Sequence, residues 1–333
     1  MNQVLALIRL LRLPNLVIVL LTQLVPYWFA LRPAILKAGG IPVLTERIFG
    51  LIALATVLTT LAGYVLNDYY DREIDAVNKP ERVIWGRLLP ASWALVLYAG
   101  LVVVVHGLAF FIDRELHPAN HWPLWVFPGV SFLLFLYAWQ FKCTAIIGNL
   151  LVSFLCGVVP IVMVFPEERP IWLTSFIQPN EIHQAVGLVW LYGIFAFATN
   201  LFREQIKDLE DFPGDSACGC STLAVLKGLR FAKKPAVFSG LLVIALICFL
   251  LYFWQQTAAP DWQIITGGML LLLPAIFATA AVYRAKTKQD FSRASTLIKV
   301  VMFAGLFLLL RTWPDDPMEV VESVSRALGS IRQ

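Results

Sequence analysis

Long apolar runs separated by short polar segments dominate the chain. A membrane-spanning helix needs about 20 mostly apolar residues, and nine segments meet that requirement. We predict spans at Pro14–Leu31, Ile48–Leu66, Ala91–Ile112, Trp122–Trp139, Thr144–Phe165, Ala185–Phe202, Pro235–Trp254, Ile264–Tyr283 and Ser295–Leu310. The pattern therefore predicts an all-α protein: a polytopic membrane bundle of nine transmembrane helices over residues 1–312, with a short C-terminal tail over residues 313–333.

Composition agrees with a membrane protein and excludes several other classes. Of the 333 residues, 59% are hydrophobic and 14% are charged, whereas a soluble domain carries roughly 25% charged residues. The net charge of +4 is small, and no basic run indicates a nucleic-acid partner. The sequence identifies no protein partner. None of the cysteines has zinc or redox spacing, so we predict free thiols at Cys143, Cys156, Cys218, Cys220 and Cys248.

The distribution of Lys and Arg predicts the orientation. With the N-terminus in the cytoplasm, the cytoplasmic segments hold about twice as many basic residues as the outer segments. Cytoplasmic loops of membrane proteins carry this excess. We therefore predict a multi-pass cell-membrane protein with its N-terminus in the cytoplasm and its C-terminus outside.

Two acidic clusters follow the second and sixth predicted spans, and both therefore face the cytoplasm. The first contains Asp68, Asp71, Glu73, Asp75 and Glu81, and the second contains Glu204, Asp208, Glu210, Asp211 and Asp215. The middles of the spans are nearly free of acids, whereas ion pathways place ionisable groups at depth. One cluster alone would be typical of a solvated loop, but two on one side favour a binding site.

Helical spacing places these acids in stripes. If span two continues as a helix past Asn67, then Asn67, Asp71 and Asp75 share one face. Asp208, Asp211 and Asp215 also share a face, and we predict that Pro213–Gly214 ends their helix. Stacked carboxylates repel one another, and a helix C-terminus disfavours them. The stripes therefore need a compensating cation.

Carboxylate and amide oxygens are ligands that suit Mg²⁺, which usually takes one or two carboxylates together with substrate phosphate and water. Two facing sets could hold two ions around one diphosphate and stabilise it as a leaving group. The candidate metal ligands are Asn67, Asp68, Asp71, Asp75, Asp208, Asp211 and Asp215. Basic side chains between them suit phosphate oxygens, and these are Arg72, Lys79, Arg82, Arg203 and Lys207.

Two motifs resemble a known family. "NDYYDREID" is similar to the N-D-x-x-D-x-x-x-D signature of the UbiA superfamily of membrane prenyltransferases, and "KDLEDFPGD" is similar to its second aspartate motif. "LIRLLRLPN" and "FKCTAIIGNLL" resemble smaller family patterns, the second of them a Lys-then-Gly-Asn stretch with Lys142, Gly148 and Asn149. They add Arg12, Asn15 and Lys142 to the expected diphosphate-binding residues. "REQIKDLEDFPGD" with "NKPERV" most resembles the geranylgeranylglyceryl-phosphate geranylgeranyltransferases.

The resemblance implies an enzyme that ionises a prenyl diphosphate donor, expected to be geranylgeranyl diphosphate, with Mg²⁺ as cofactor. The prenyl group would pass to a lipophilic acceptor, a prenylated glycerol phosphate in the branch named above, while membrane lipids surround the tail. The resemblance implies catalytic roles for Asp71, Asp75, Asp211 and Asp215, and Asp75 or Asp215 could take the proton. Aromatic faces can stabilise an allylic cation, and the candidates are Tyr64, Tyr69, Tyr137 and Trp139.

Two alternatives stay open at the level of sequence. The acceptor could be aromatic, such as 4-hydroxybenzoate, homogentisate or dihydroxynaphthoate, because the basic residues suit either acceptor. In a different class, a membrane carrier or ion transporter could use the acidic clusters as a cation site. An Asp71→Asn change would abolish prenyl transfer in an enzyme and alter flux in a carrier.

Overall fold

A computed structural model describes residues 10–117, 121–256 and 261–308 of the protein. Its helices are α1 (Leu13–Lys37), α2 (Glu46–Tyr70), α3 (Arg72–Asn78), α4 (Ala91–Leu116), α5 (Pro123–Phe141), α6 (Ile147–Ile161), α7 (Glu168–Ser175), α8 (Pro179–Ala217), α9 (Leu223–Lys227), α10 (Leu229–Gln256), α11 (Ile264–Arg284) and α12 (Lys288–Leu308). Single π-helical turns interrupt α1 and α11, and another forms the last turn of α5. Over these ranges the structure is all-α, as predicted, and its extended pairing is one isolated bridge between Trp85 and Leu89.

Seven of these helices are long and apolar enough to cross a membrane: α1, α2, α4, α5, α8, α10 and α11. The pair Ile147–Ile161 and Phe165–Ser175, which is bent by 42°, would make an eighth span within the described residues. The ninth predicted span lies in α12 as far as Leu308. Residues 309–310 and the tail, residues 313–333, lie outside the described residues. The polytopic helix bundle is confirmed, and its span count is compatible with nine.

The interior consists of several apolar clusters, and α8 contributes to the two largest. Ile182 and Val189 of α8 lie in one cluster with Tyr27 of α1, while Phe202 and Ile206 of α8 lie in another, with α10, α11 and α12. The 39-residue helix α8 therefore joins both halves of the bundle.

Large apolar side chains also cover the outside of the bundle. Trp93 on α4, Phe132 on α5 and Phe238 on α10 are each more than half exposed. Bilayer lipid is the solvent that such a surface suits, because helices in lipid need no polar outer face. The outside of the molecule is thus built for a membrane.

Both acidic clusters come to the same end of the bundle. Helix α2 begins at an N-cap, where the Thr45 hydroxyl accepts from the Ile48 N–H at 3.3 Å, and its other end leads directly into α3. Helix α3 packs against the last turns of α8. The ends of α2 and α8 therefore place the two clusters side by side.

Candidate active site

The first acidic cluster lies where α2 passes into α3. Helix α2 ends at Tyr70, but the hydrogen bonds from Asp71 N to Asn67 O (2.9 Å) and from Asp75 N to Asp71 O (2.7 Å) carry the helical path through the junction. The Asn67 side-chain amide donates to Asp71 Oδ2 at 2.7 Å. The predicted stripe of Asn67, Asp71 and Asp75 is therefore present.

The second cluster lies on the last turns of α8. The prediction that Pro213–Gly214 ends this helix is wrong, because α8 continues to Ala217. Proline normally breaks a helix because it has no N–H to donate. Here the Asn78 side chain satisfies backbone groups beside Pro213: its Nδ2 donates to Asp211 O at 2.9 Å, and its Oδ1 accepts from Gly214 N at 3.1 Å.

Gly214 allows α3 and α8 to approach closely. A Cβ added at Gly214 would lie 2.3 Å from Asn78 Nδ2 and 2.8 Å from the carbonyl oxygen of Ile74. Lys79, which follows α3, donates to Asp211 Oδ1 at 2.9 Å and lies 3.5 Å from Glu210 Oε1. These contacts bring the two clusters together into one candidate site.

Basic side chains from two further segments pair with two carboxylates of the first cluster. Lys142, just after α5, pairs with Asp71 and donates to Asn67 Oδ1 at 2.9 Å. Arg12, at the start of α1, pairs with Asp68 and lies 4.9 Å from the centre of the Tyr64 ring. Buried carboxylates need such partners, because an unpaired buried charge costs several kcal/mol.

Three residues outside the predicted site set also belong to the site. Asn149 donates to Asp208 Oδ2 at 2.7 Å, and Asn78 bridges α3 to α8 as described above. Glu204 is buried, and it pairs with Arg203 and lies 3.8 Å from Lys207 Nζ. The sequence already places Glu204 in the second acidic cluster, one helical turn before Asp208.

A disulfide corrects the prediction of free thiols. Cys143 and Cys220 are bonded, 77 residues apart, while Cys156, Cys218 and Cys248 are free. The connection after α5 lies against the segment after α8, where Ser221 N donates to Cys143 O at 2.9 Å. The bridge therefore ties the Lys142 segment to the end of the second cluster, a pairing that spacing along the chain does not indicate.

A cavity of about 190 Å³ leads from this site into the bundle. Polar and charged side chains line its mouth: Arg12, Asn15, Asn67, Asn200, Arg203, Glu204 and Lys207. Its inner walls are largely apolar, with Phe127 and Val162 among the lining residues. On α2 the lining extends over the twelve residues from Thr56 to Asn67, and the eleven steps between them cover roughly 16 Å of helix. A long apolar tail with an anionic head fits this shape.

The aromatic residues proposed to stabilise an allylic cation lie partly in the cavity and partly on the surface, and two predicted phosphate-binding arginines lie beside the first cluster. Tyr64 and Tyr137 line the cavity. Tyr69 instead lies against Arg72, whose guanidinium carbon is 4.7 Å from the ring centre, and Trp139 is 57% exposed. Arg72 also lies 3.9 Å from Glu73. Arg82 closes the short turn Pro80–Arg82, and its side chain lies outside the described part of the chain.

The cluster side chains are oxygen donors, which is the chemistry that Mg²⁺ requires. Over residues 10–117, 121–256 and 261–308, no three His, Cys, Asp or Glu side chains converge on one metal position. Protein Mg²⁺ sites are commonly completed by substrate phosphate and water. The donor set therefore suits an ion shared with a phosphate ligand rather than one enclosed by protein alone.

The pKa of Asp75 is raised above the ordinary aspartate value. Burial is the largest cause, because it disfavours the charged carboxylate, and repulsion from Asp71 adds to it. Nearby Lys142 and Lys207 act in the opposite direction. A cation bound at the clusters would relieve this repulsion.

Comparison with known proteins agrees with this geometry. The UbiA prenyltransferase family pattern matches residues 24–308. A digeranylgeranylglyceryl phosphate synthase from Thermococcus kodakarensis is 31% identical over 282 residues, which cover 83% of this chain and 89% of that relative.

Solved structures share the fold. That of a digeranylgeranylglyceryl phosphate synthase aligns with a TM-score of 0.60 at 22% identity, covering 93% of this chain and 98% of its own. A UbiA homolog from Archaeoglobus fulgidus bound to DMAPP and Mg²⁺ aligns with a TM-score of 0.50 at 14% identity, covering 90% and 98%. With two acidic clusters beside a largely apolar cavity, and with the family pattern over most of its length, the chain belongs to the UbiA family of membrane prenyltransferases.

Proposed function

We propose that the protein transfers a geranylgeranyl group from its diphosphate to a prenylated glycerol phosphate in the cell membrane. The observation that supports this most directly is the joining of the two acidic clusters above an apolar cavity whose mouth carries cations. The acceptor comes from the similarity to digeranylgeranylglyceryl phosphate synthases over more than four-fifths of the chain.

The donor would lie with its diphosphate at the clusters and its tail in the cavity. Asn67, Asp68, Asp71, Asp75, Asp208, Asp211 and Asp215 would hold Mg²⁺, which when bound would neutralise the departing diphosphate. Arg12 and Lys142, which pair with Asp68 and Asp71, are placed to turn their donors toward phosphate oxygens. Arg guanidinium and Lys ammonium groups both bind phosphate strongly.

Ionisation breaks the bond between C1 of the prenyl group and the diphosphate oxygen, and the electron pair leaves with diphosphate. The allylic cation would lie near Tyr64 and Tyr137, whose rings line the cavity and can stabilise positive charge. The acceptor hydroxyl then attacks C1, and its proton passes to a carboxylate, for which Asp75 and Asp215 are the candidates.

We place this site on the cytoplasmic side, since the basic residues predict that orientation. A water-soluble diphosphate group would then meet the clusters from the cytoplasm. The apolar tail of donor and acceptor would enter from the bilayer, whose lipids surround the bundle.

The test is prenyl transfer by the purified protein with labelled geranylgeranyl diphosphate, with and without Mg²⁺. Geranylgeranylglyceryl phosphate, 4-hydroxybenzoate, homogentisate and dihydroxynaphthoate would be offered in parallel. We expect one Mg²⁺-dependent product, on the glycerol phosphate. Transfer to an aromatic acceptor alone would contradict the proposed identity of the acceptor. Ion flux without release of diphosphate would indicate a carrier.

Asp71→Asn provides the matched site variant. Loss of this carboxylate should lower kcat by roughly a hundredfold or more, since it removes a proposed ligand of the Mg²⁺ that would stabilise the departing diphosphate. Asp113→Asn is the control, because Asp113 is also buried but contacts His121 at a distance from both clusters. Equal activity of Asp71→Asn and wild type would show that the first cluster is not the donor site.

A further inference from the structure

Helix α8 carries two neighbouring stripes of polar side chains. The acidic stripe contains Asp208, Asp211 and Asp215, and the second stripe contains Asn200, Arg203 and Lys207. At about 100° per residue, the two stripes are centred roughly 80° apart around the helix axis. The second stripe lines the cavity mouth.

The cations of the second stripe differ from the other site cations in their partners. Arg12, Lys79 and Lys142 each form an ion pair with a carboxylate of the predicted metal ligands. Arg203 and Lys207 instead form ion pairs with Glu204, which lies outside those ligands. An anion can therefore be bound at Arg203 and Lys207 without competing for a metal ligand.

The site also has the burial that selective anion binding needs. Glu204 is 6% exposed, while the side chains of Arg203 and Lys207 keep 22% and 29% of their surface accessible. Two cations share one carboxylate, so Arg203, Glu204 and Lys207 together carry one net positive charge. In a partly buried setting that excess charge attracts an anion more strongly than it would in water.

Two anionic groups have to meet in the proposed reaction. The donor brings a diphosphate, and a glycerol phosphate acceptor brings a phosphomonoester close to the hydroxyl that attacks. Without separate cations these groups would repel one another across a short distance. An aromatic acceptor without phosphate would not need the second set of cations.

We propose that Arg203 and Lys207, held in place by Glu204, form the binding site for the phosphomonoester of the acceptor. This inference rests on the proposed function, and it names the residues that would bind the acceptor within the same site. Arg203 offers a planar set of donors for two phosphate oxygens, and Lys207 offers a point charge. Glu204 is a positioning residue, because it acts through these two cations.

Steady-state kinetics with Lys207→Met test the assignment. Geranylgeranylglyceryl phosphate would be varied at saturating geranylgeranyl diphosphate, and the donor would then be varied at saturating acceptor. We expect KM for the acceptor to rise roughly tenfold or more, the effect of losing one charge-assisted hydrogen bond. KM for the donor should change less than about twofold.

The dephosphorylated acceptor, geranylgeranylglycerol, distinguishes phosphate binding from damage to the fold. Wild type and Lys207→Met should use it with the same KM, since the missing contact is to phosphate. Lys227→Met is the matched control, because Lys227 is exposed and does not line the cavity. Arg203→Gln repeats the test at the second cation, so a folding failure of one variant leaves the other to decide.

Glu204 has its own readout. Glu204→Gln should raise KM for the phosphorylated acceptor and leave KM for geranylgeranylglycerol unchanged, and Glu204→Asp should restore part of the loss. An equal fall in kcat with both acceptors would indicate a structural role and contradict the positioning role.

A rise in the donor KM of Lys207→Met and Arg203→Gln, with the acceptor KM unchanged, would overturn the assignment and place both cations at the diphosphate. Failure of the proposed function looks different. Wild-type protein would then prenylate no glycerol phosphate at all, whatever stands at residues 203 and 207.

Discussion

At the scale of single residues, Asp71 is a buried carboxylate that is stabilised by polar and charged partners. Its carboxylate is 7% exposed and receives the Asn67 amide at 2.7 Å and the Lys142 ammonium. Removing a partner from a buried charge costs more than the pair itself contributes. These contacts give the buried carboxylate of Asp71 two partners and hold it beside Asn67.

Asp75 carries the pH dependence that we expect of the site. Because its pKa is raised, protons compete with a cation for this carboxylate at higher pH than at an ordinary aspartate. The proposed cation site would therefore be complete above the raised pKa and would be lost as the pH falls through it. We expect the Mg²⁺ concentration for half-maximal activity to rise as the pH is lowered through this raised pKa.

The measurement is a Mg²⁺ titration of prenyl transfer at several pH values. Asp75→Asn is the control, since an amide does not titrate in this range, and its Mg²⁺ requirement should be higher but depend less on pH. A wild-type requirement that stays constant over the whole range would show that Asp75 does not contribute to cation binding.

Sequence spacing predicted contacts within one helix and missed contacts between distant segments. The Asn67–Asp71 pair follows from four-residue spacing, whereas Arg12 and Asp68 are 56 residues apart, and Asn149 and Asp208 are 59 apart. Such pairs depend on how helices pack, which the position of polar residues along one chain does not encode. Which atoms contact a ligand stays a prediction.

At the scale of elements, the distance between α3 and α8 sets the geometry of the site. Gly214→Ala would place a Cβ against Asn78 Nδ2 and the Ile74 carbonyl oxygen, closer than real contacts allow. The helices must then separate, and a displacement of about 1 Å can lower a rate by roughly a hundredfold. We expect Gly214→Ala to reduce kcat by at least tenfold, measured as prenyl transfer by the purified variant.

Gly187→Ala is the matched control for this change. Gly187 lies on the same helix, and an added Cβ would have nothing within 4 Å. Alanine favours a helix over glycine by about 1 kcal/mol, so this variant should be active and at least as stable as wild type. Full activity of Gly214→Ala would show that the approach of α3 to α8 does not limit catalysis.

Helix ends were the least predictable part of the elements. The proline rule predicted a stop at Pro213, but the helix continues to Ala217 because Asn78 from α3 bonds the backbone on both sides of the proline. A tertiary contact between two helices therefore overrides the local tendency of proline to end a helix. The apolar core of each span, in contrast, follows from composition and length alone.

At the scale of the whole molecule, the polar candidate site and the apolar outer surface lie in different parts of the bundle. The clusters lie at one end of the bundle, the cavity extends inward from them, and the outer surface exposes large apolar side chains to lipid. Composition predicted the apolar outer surface, and the order of the spans predicted that both clusters lie on one side. It did not predict the bridge from Cys143 to Cys220, because only packing brings those two cysteines together.

The orientation of the molecule can be tested with a native thiol. Cys218 is free and exposed just after α8, beside the second cluster. Burial and the charges of Glu73 and Asp215 raise its pKa, so labelling should be done near pH 8.5, where more thiolate is present. We expect a membrane-impermeant maleimide to label inside-out vesicles and to leave right-side-out vesicles unlabelled.

The control reverses this pattern within the same protein. Asn180, near the start of α8, is exposed at the opposite end of the long helix. In a Cys218→Ser background, Asn180→Cys should be labelled in right-side-out vesicles only. Labelling of wild-type Cys218 in right-side-out vesicles would place the clusters outside the cell. The diphosphate donor would then have to be supplied on that side of the membrane. The clusters lie in the same loops and helix ends whose basic residues predict the orientation. Labelling of Cys218 therefore tests the side on which the clusters lie and the orientation of the whole protein together.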